Sequence, residues 1–140
     1  MKEVLRAITK SAKETEKFAG TFAKEILKLK LSRAVVIGLE GELGAGKTTF
    51  AKGFAKGLGI KEEMKSPTFI LMRVFKTKKR KFFHIDAYRD QLDFTEFLKN
   101  GRNILLVEWA NKAKKFLPKK YFRFLLRHAG KNKREIILYA

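Results

Sequence analysis

The chain has 140 residues, 45% of them hydrophobic, with 33 Lys and Arg against 14 Asp and Glu and no cysteine, for a formal charge of +19. That length fits one domain over 1–140, and the missing cysteines exclude disulfides and thiolate metal sites and suit a cytoplasmic protein. The opening MKEVLRAITK has no signal-peptide apolar run, and no stretch nears the roughly 18 apolar residues of a membrane span, so no membrane partner is expected.

The positive balance fits two readings, contact with a polyanion such as RNA or lysine-rich solvated faces, because the lysines are spread through the chain rather than packed into one tail. In chain order, Val4 to Thr9 predicts a first strand. Ser11-Ala12-Lys13-Glu14 has the form of a capping box, and Phe18, Phe22 and Ile26, with Ala19, Ala23 and Leu27, predict an amphipathic helix over 12–30. The unbroken apolar run over 34–39 predicts a buried parallel strand.

The residues that follow, Gly41-Glu42-Leu43-Gly44-Ala45-Gly46-Lys47-Thr48, fit G-x-x-x-x-G-K-[ST] between a strand and a helix, which is the phosphate-binding P-loop in its required context. Gly41, Gly44 and Gly46 let the backbone turn its amides onto phosphate oxygens. A helix over 47–58 adds free N–H groups and the positive end of its dipole. Lys47 supplies a charge for the β- and γ-phosphates, and the Thr48 hydroxyl can ligate Mg²⁺. The expected nucleotide contacts are Gly41, Glu42, Leu43, Gly44, Ala45, Gly46, Lys47, Thr48 and Thr49. In this helix Phe50, Phe54 and Leu58 share one face. Gly53 and Gly57 each cost about 1 kcal/mol relative to Ala, and close packing of the helix on the sheet is the expected compensation. Gly59 ends it.

A loop, Lys65-Ser66-Pro67-Thr68-Phe69, leads into a strand over 69–75, which pairs through the turn Thr77-Lys78-Lys79-Arg80 with a strand Lys81–Asp86 as an antiparallel hairpin. The turn cations read as edge protection rather than RNA contacts. Residues 93–99 give at most a short helix, Asn103–Glu108 a buried strand, 111–116 a helix stopped near Pro118, and YFRFLLR and REIILYA a closing hairpin.

A P-loop needs a carboxylate partner for Mg²⁺ and water. Asp86 and Glu108 each end an apolar strand, where ligands of open parallel sheets bind. His84 falls on the same sheet face as Asp86 and reads as a buried structural histidine or an acid–base group. Arg89 reads as an anion contact or a loop charge, and Trp109 as core packing at the strand end.

Together, the P-loop with its trailing Thr49-Phe50, Ser66-Pro67-Thr68-Phe69, His84-x-Asp86-x-Tyr88-Arg89 and Val107-Glu108-Trp109 make the chain resemble, over nearly its whole length, the TsaE (YjeE) family. These are bacterial ATPases of tRNA threonylcarbamoyladenosine biosynthesis. The resemblance implies an α/β, P-loop NTPase-like fold, with a mixed central β-sheet flanked by helices and antiparallel hairpins. It implies weak ATP hydrolysis with Mg²⁺ held at Thr48 and Glu108, Asp86 as the catalytic or water-orienting acid and a further metal contact, and Thr68 as a γ-phosphate sensor. It places the segment before the first helix near the nucleotide, with Arg134 as another contact. It implies TsaD and TsaB as partners, reset between turnovers, and tRNA contact directly or through that complex. The segment 90–102 is shorter than the resemblance leads one to expect, lacking a longer acidic stretch, and the chain is more basic. Two other functions share these motifs: a small-molecule kinase, although no arginine-rich lid is evident, and a basic RNA-binding module with a vestigial P-loop.

Overall fold

The computed structural model describes residues 1–63, 71–89 and 91–140. Seven strands form one sheet in the order β1-β7-β6-β2-β5-β4-β3. They are β1 (Glu3–Thr9), β2 (Val35–Glu40), β3 (Met72–Lys76), β4 (Lys81–Asp86), β5 (Asn103–Glu108), β6 (Phe122–His128) and β7 (Arg134–Tyr139). The four inner strands β6, β2, β5 and β4 run parallel. The β3–β4, β6–β7 and β1–β7 pairings are antiparallel, so the sheet is mixed, with a hairpin at each end of the parallel block.

Every residue of β2 and of β5 is buried, as expected of parallel strands covered on both faces. Their side chains alternate between two cores. Val35, Ile37, Leu39, Ile104 and Leu106 face the helices α1 (Ala12–Ile26) and α2 (Lys47–Gly57). Val36, Leu105 and Val107 face the other way, under Phe94, Leu98, Ala110 and Ala113, which lie in or beside three short 3₁₀ turns, Thr95–Lys99, Ala110–Lys112 and Lys114–Phe116.

Three expectations change. Helix α1 stops at Ile26 rather than near Lys30. Carbonyls just past its end are held by Arg80, whose Nη2 donates to Leu29 O at 2.7 Å and to Leu27 O at 3.2 Å, satisfying groups that a continuing helix would have used. Arg80 thus clamps the helix end, a more specific task than shielding an edge. The segment 111–116 forms two 3₁₀ turns rather than a helix, because it is short, ends before Pro118 and must lay Ala110 and Ala113 onto the sheet. Glycines Gly53 and Gly57 are filled by α1, not by the sheet. A Cβ at Gly53 would stand 2.2 Å from Glu16 O, and one at Gly57 would stand 2.4 Å from Gly20 O. Of the expected strand over 69–75, the structure describes the part from Met72 onward; the loop carrying Thr68 lies outside the described residues.

Candidate nucleotide site

The sheet order sets the site. Strand β2 feeds the P-loop, with β5 and β4 on one side and β6, β7 and β1 on the other. Parallel register brings Leu39, Glu108 and Asp86 level at the carboxyl ends of β2, β5 and β4. The crevice therefore opens where open parallel sheets bind ligands.

Between β2 and α2 the loop needs glycine for two separate reasons. Gly41 lies so close to β6 that a Cβ would be 2.4 Å from Leu126 O. Gly46 caps α2 with φ 104°, in the left-handed region. Its carbonyl accepts the Phe50 N–H at 2.8 Å, leaving the first N–H groups of α2 free of helix partners. Lys47 is 6% exposed. Its Nζ donates to Gly41 O at 2.5 Å and Glu42 O at 2.8 Å and lies 4.1 Å from the centre of the Trp109 ring. Burial lowers the Lys47 pKa, and the charges of Glu108 and Asp86 partly offset that.

A cavity of about 550 Å³ surrounds this ammonium group. Its floor is made by Leu43, Gly44, Gly46, Lys47, Thr48 and Thr49 of the P-loop and the start of α2. Gly41, Glu42 and Ala45, expected as contacts, do not line it. The first two turn their carbonyls onto Lys47, and Ala45 is 0% exposed.

One wall is acidic and aromatic, with Asp86, Glu108, Tyr88, Arg89 and Trp109. The structure thus brings Lys47 and Thr48, at the start of α2, to one cavity with Asp86 and Glu108, at the ends of β4 and β5. Glu108 is buried and its Oε2 lies 2.5 Å from Nε2 of His84, itself 1% exposed. The Nδ1 of His84 is buried without a partner. With the carboxylate oxygen as acceptor, Nε2 is the ring nitrogen that donates. His84 is therefore the buried, hydrogen-bonded residue anticipated, and the group it holds is Glu108. Asp86 Oδ1 accepts the Tyr88 N–H at 2.9 Å. Trp109 takes φ 58° and does more than pack. It leans on the second core, meets the Tyr88 ring at a tilt with 4.7 Å between centroids, and gives its ring to Lys47.

The other wall is built from the start of α1 and from β7. Lys10, Ser11, Ala12 and Thr15 face Asn132 and Arg134. Ser11 Oγ accepts the Glu14 N–H at 3.1 Å, and Glu14 Oε1 accepts the Lys10 N–H at 3.0 Å, a variant of the anticipated capping box. Arg134 Nη2 donates to Gly44 O at 3.1 Å, tying β7 to the P-loop. Lys10 and Asn132 escape a sequence reading because they are close to the P-loop only through the antiparallel β1–β7 and β6–β7 pairings. Among the described residues no cluster of three or more His, Cys, Asp and Glu forms a metal cage. A cation here would rely on Thr48, one or both acids and oxygens of its ligand.

Comparison with known proteins gives one family. The family described as "Threonylcarbamoyl adenosine biosynthesis protein TsaE" matches residues 9–136. Among individual relatives, the chain is 34% identical over 138 residues to the tRNA threonylcarbamoyladenosine biosynthesis protein TsaE of Treponema pallidum, covering 94% of this chain and 98% of that one. It is 40% identical over 110 residues to the Bacillus subtilis protein of the same name, covering 75% of this chain and 69% of that one. The Aquifex aeolicus protein of that name is 45% identical over 104 residues, covering 72% and 76%. The crystal structure of Bacillus subtilis YdiB superposes with a TM-score of 0.82 at 33% identity, covering 99% of this chain and 86% of that one.

Proposed function

We infer function from a premise the comparisons supply: the chain belongs to the TsaE family, and so serves tRNA threonylcarbamoyladenosine biosynthesis. Within that role we propose that 1–140 is a single cytoplasmic P-loop ATPase domain. It binds ATP with Mg²⁺, hydrolyses it slowly alone, and resets a TsaD–TsaB complex between turnovers.

One observation carries the reading: Lys47, Thr48, Asp86 and Glu108 face a single cavity at the end of β2. That argues against a vestigial P-loop. The buried Lys47 ammonium and the free N–H groups of α2 fit the β- and γ-phosphates. The wall of Ser11, Ala12, Asn132 and Arg134 is left for the nucleoside. Mg²⁺, when bound with ATP, would neutralise charge on the phosphate oxygens. The Thr48 hydroxyl and the Glu108 oxygen not held by His84 would ligate it, with Asp86 within reach as a further contact. Asp86 uses Oδ1 on Tyr88 N–H, which leaves Oδ2 to orient and accept a proton from a water. Thr68, beyond the described residues, is proposed as the γ-phosphate sensor from its place in the sequence.

The test is multiple-turnover modification of transcribed tRNA by purified TsaD and TsaB, with and without this chain, while ATP consumption is followed. Addition of the chain should raise both the number of turnovers and the ATP consumed. If it changes neither, the reading fails and a small-molecule kinase takes its place.

A further inference from the structure

Between Glu108 and Glu135 the chain carries ten Lys and Arg and no Asp or Glu, so 110–134 supply over half of the +19. Three of these ten are occupied. Arg123 pairs with Glu40 at 2.7 Å, Arg127 pairs with Glu135 at 2.8 Å, and Arg134 holds Gly44 O. The other seven are exposed lysines, and none forms an ion pair among the described residues. Lys112 lies over the Tyr88 ring at 4.1 Å, at the mouth of the cavity. Lys114, Lys115, Lys119 and Lys120 continue along the segment whose apolar side packs Ala113, Phe116 and Leu117 onto the sheet. Asp93 is the acid that feels this cluster, its pKa lowered chiefly by Thr95 and in part by Lys115.

We propose that this face of an acid-free segment, centred on Lys112, Lys114, Lys115, Lys119 and Lys120, is a docking surface for the phosphate backbone of RNA. The chemistry separates it from a protein interface. Protein interfaces are anchored by buried aromatic and apolar side chains and are depleted in lysine. None of the exposed large hydrophobic residues among those described lies in 110–134. Flexible point charges without apolar anchors suit phosphates read for charge and spacing rather than sequence. The helical side differs in that acids are interspersed with its lysines: Glu16 pairs with Lys56 at 3.2 Å and Glu25 with Lys28 at 3.0 Å, while Lys13, Lys17, Lys24 and Lys52 form no ion pair among the described residues. The choice of RNA over another polyanion rests on the proposed role in tRNA modification. The surface continues from Trp109 at the nucleotide cavity, which would hold the RNA beside the ATP site.

The experiment measures binding of a transcribed tRNA to the full chain without nucleotide, from 50 to 400 mM salt. It uses K114Q/K115Q/K119Q/K120Q and a control of equal charge change on the helices, K13Q/K17Q/K24Q/K52Q. Each neutralised phosphate contact contributes about 0.7–0.9 to the salt slope, so losing four lowers it by about 3 and weakens binding by at least ~100-fold near 0.1 M. The control should retain the wild-type slope. Equal loss in both variants would reduce the effect to net charge and overturn the proposal. So would unchanged RNA binding in the first variant, or loss there of binding to vesicles of one-third phosphatidylserine with RNA binding intact. Circular dichroism and ATP binding of both variants confirm their fold. Because the assay contains neither ATP nor TsaD and TsaB, its failure leaves the ATPase reading standing, and failure of that reading leaves this measurement intact.

Discussion

The crossing of α1 over α2 sets the geometry of the nucleotide cavity, and glycine substitutions measure how. Helix α1 begins at one wall and α2 begins at the P-loop, so any wedge between them moves the two against each other. A Cβ at Gly53 would meet Glu16 O at 2.2 Å and Glu16 Cα at 2.5 Å, both backbone atoms that cannot rotate away. Restoring an ordinary contact of 3.4 Å parts the helices by roughly 1 Å. Alanine gains about 1 kcal/mol of helix propensity, while overpacking of this kind costs about 3 kcal/mol or more where only backbone can yield. Gly53→Ala should therefore lose about 2 kcal/mol net, and Gly57→Ala, facing Gly20 O at 2.4 Å, should lose a similar amount. Gly20→Ala is the internal control, because its Cβ would stand 3.2 Å from Gly53 O, so propensity and crowding offset to within about 1 kcal/mol. Gly59→Ala has open space but φ +87°, costing about 1–2 kcal/mol of left-handed strain. Urea unfolding gives the four values, and ATP titration of the folded variants reports the cavity, with Gly53→Ala the weakest binder. If Gly53→Ala and Gly20→Ala unfold at the same midpoint with equal slopes, the close approach is not what the glycines serve.

Lys47→Met should abolish ATP binding. Burial depresses the wild-type Lys47 pKa below 10.5, so the folded state releases that proton before the unfolded state does. Stability attributable to Lys47 then rises as pH climbs toward 10.5, and the melting-temperature difference between wild type and variant from pH 8 to 10.5 should show that rise. Glu108→Ala should weaken Mg²⁺-dependent affinity, whereas Asp86→Ala should lower kcat more than affinity; separate titrations of Mg²⁺ and ATP check the split, and identical defects would refute it. His84→Phe leaves the Glu108 carboxylate buried without its imidazole, which should cost about 3 kcal/mol in urea unfolding and weaken Mg²⁺ binding, with His84→Gln recovering part of both.

What could be read from the sequence is what is local. The P-loop is eight contiguous residues, β2 and β5 are unbroken apolar runs, and Asp86 and Glu108 end their strands. Each of those placements is reproduced in the structure. What could not be read depends on residues far apart in the chain. The carbonyls that follow the end of α1 are held by Arg80, more than fifty positions later in the chain. The partner of Gly53 is Glu16, on another helix. The His84–Glu108 bond follows from the β4–β5 register, which periodicity does not supply. Lys10 and Asn132 reach the cavity only because β7 lies between β1 and β6; Arg134, which the family resemblance named, gets there by the same pairing. Trp109 looked like packing because an apolar residue after a buried strand usually packs; its left-handed backbone also turns it to Lys47.

The charges of the site are arranged so that a bound polyphosphate finds them unpaired with one another. Lys47 is a buried cation flanked by two acids whose charges it feels, yet among the described residues it forms an ion pair with neither. Each acid is held elsewhere, Glu108 by His84 and Asp86 by the Tyr88 N–H, while Lys47 is kept by two loop carbonyls and the Trp109 ring. Had Lys47 closed on Glu108, ligand entry would have to break a buried ion pair, a loss of about 3–5 kcal/mol when one partner is removed. Exchanging two carbonyl hydrogen bonds for phosphate oxygens is far less costly, because neutral partners give way to charged ones that bind the ammonium more strongly. The histidine therefore contributes at two points: it fixes the carboxylate we propose as a Mg²⁺ ligand, and it gives that carboxylate a partner other than the lysine. That is electrostatic preorganisation, and in this chain it depends on a residue outside the P-loop that belongs to the sheet.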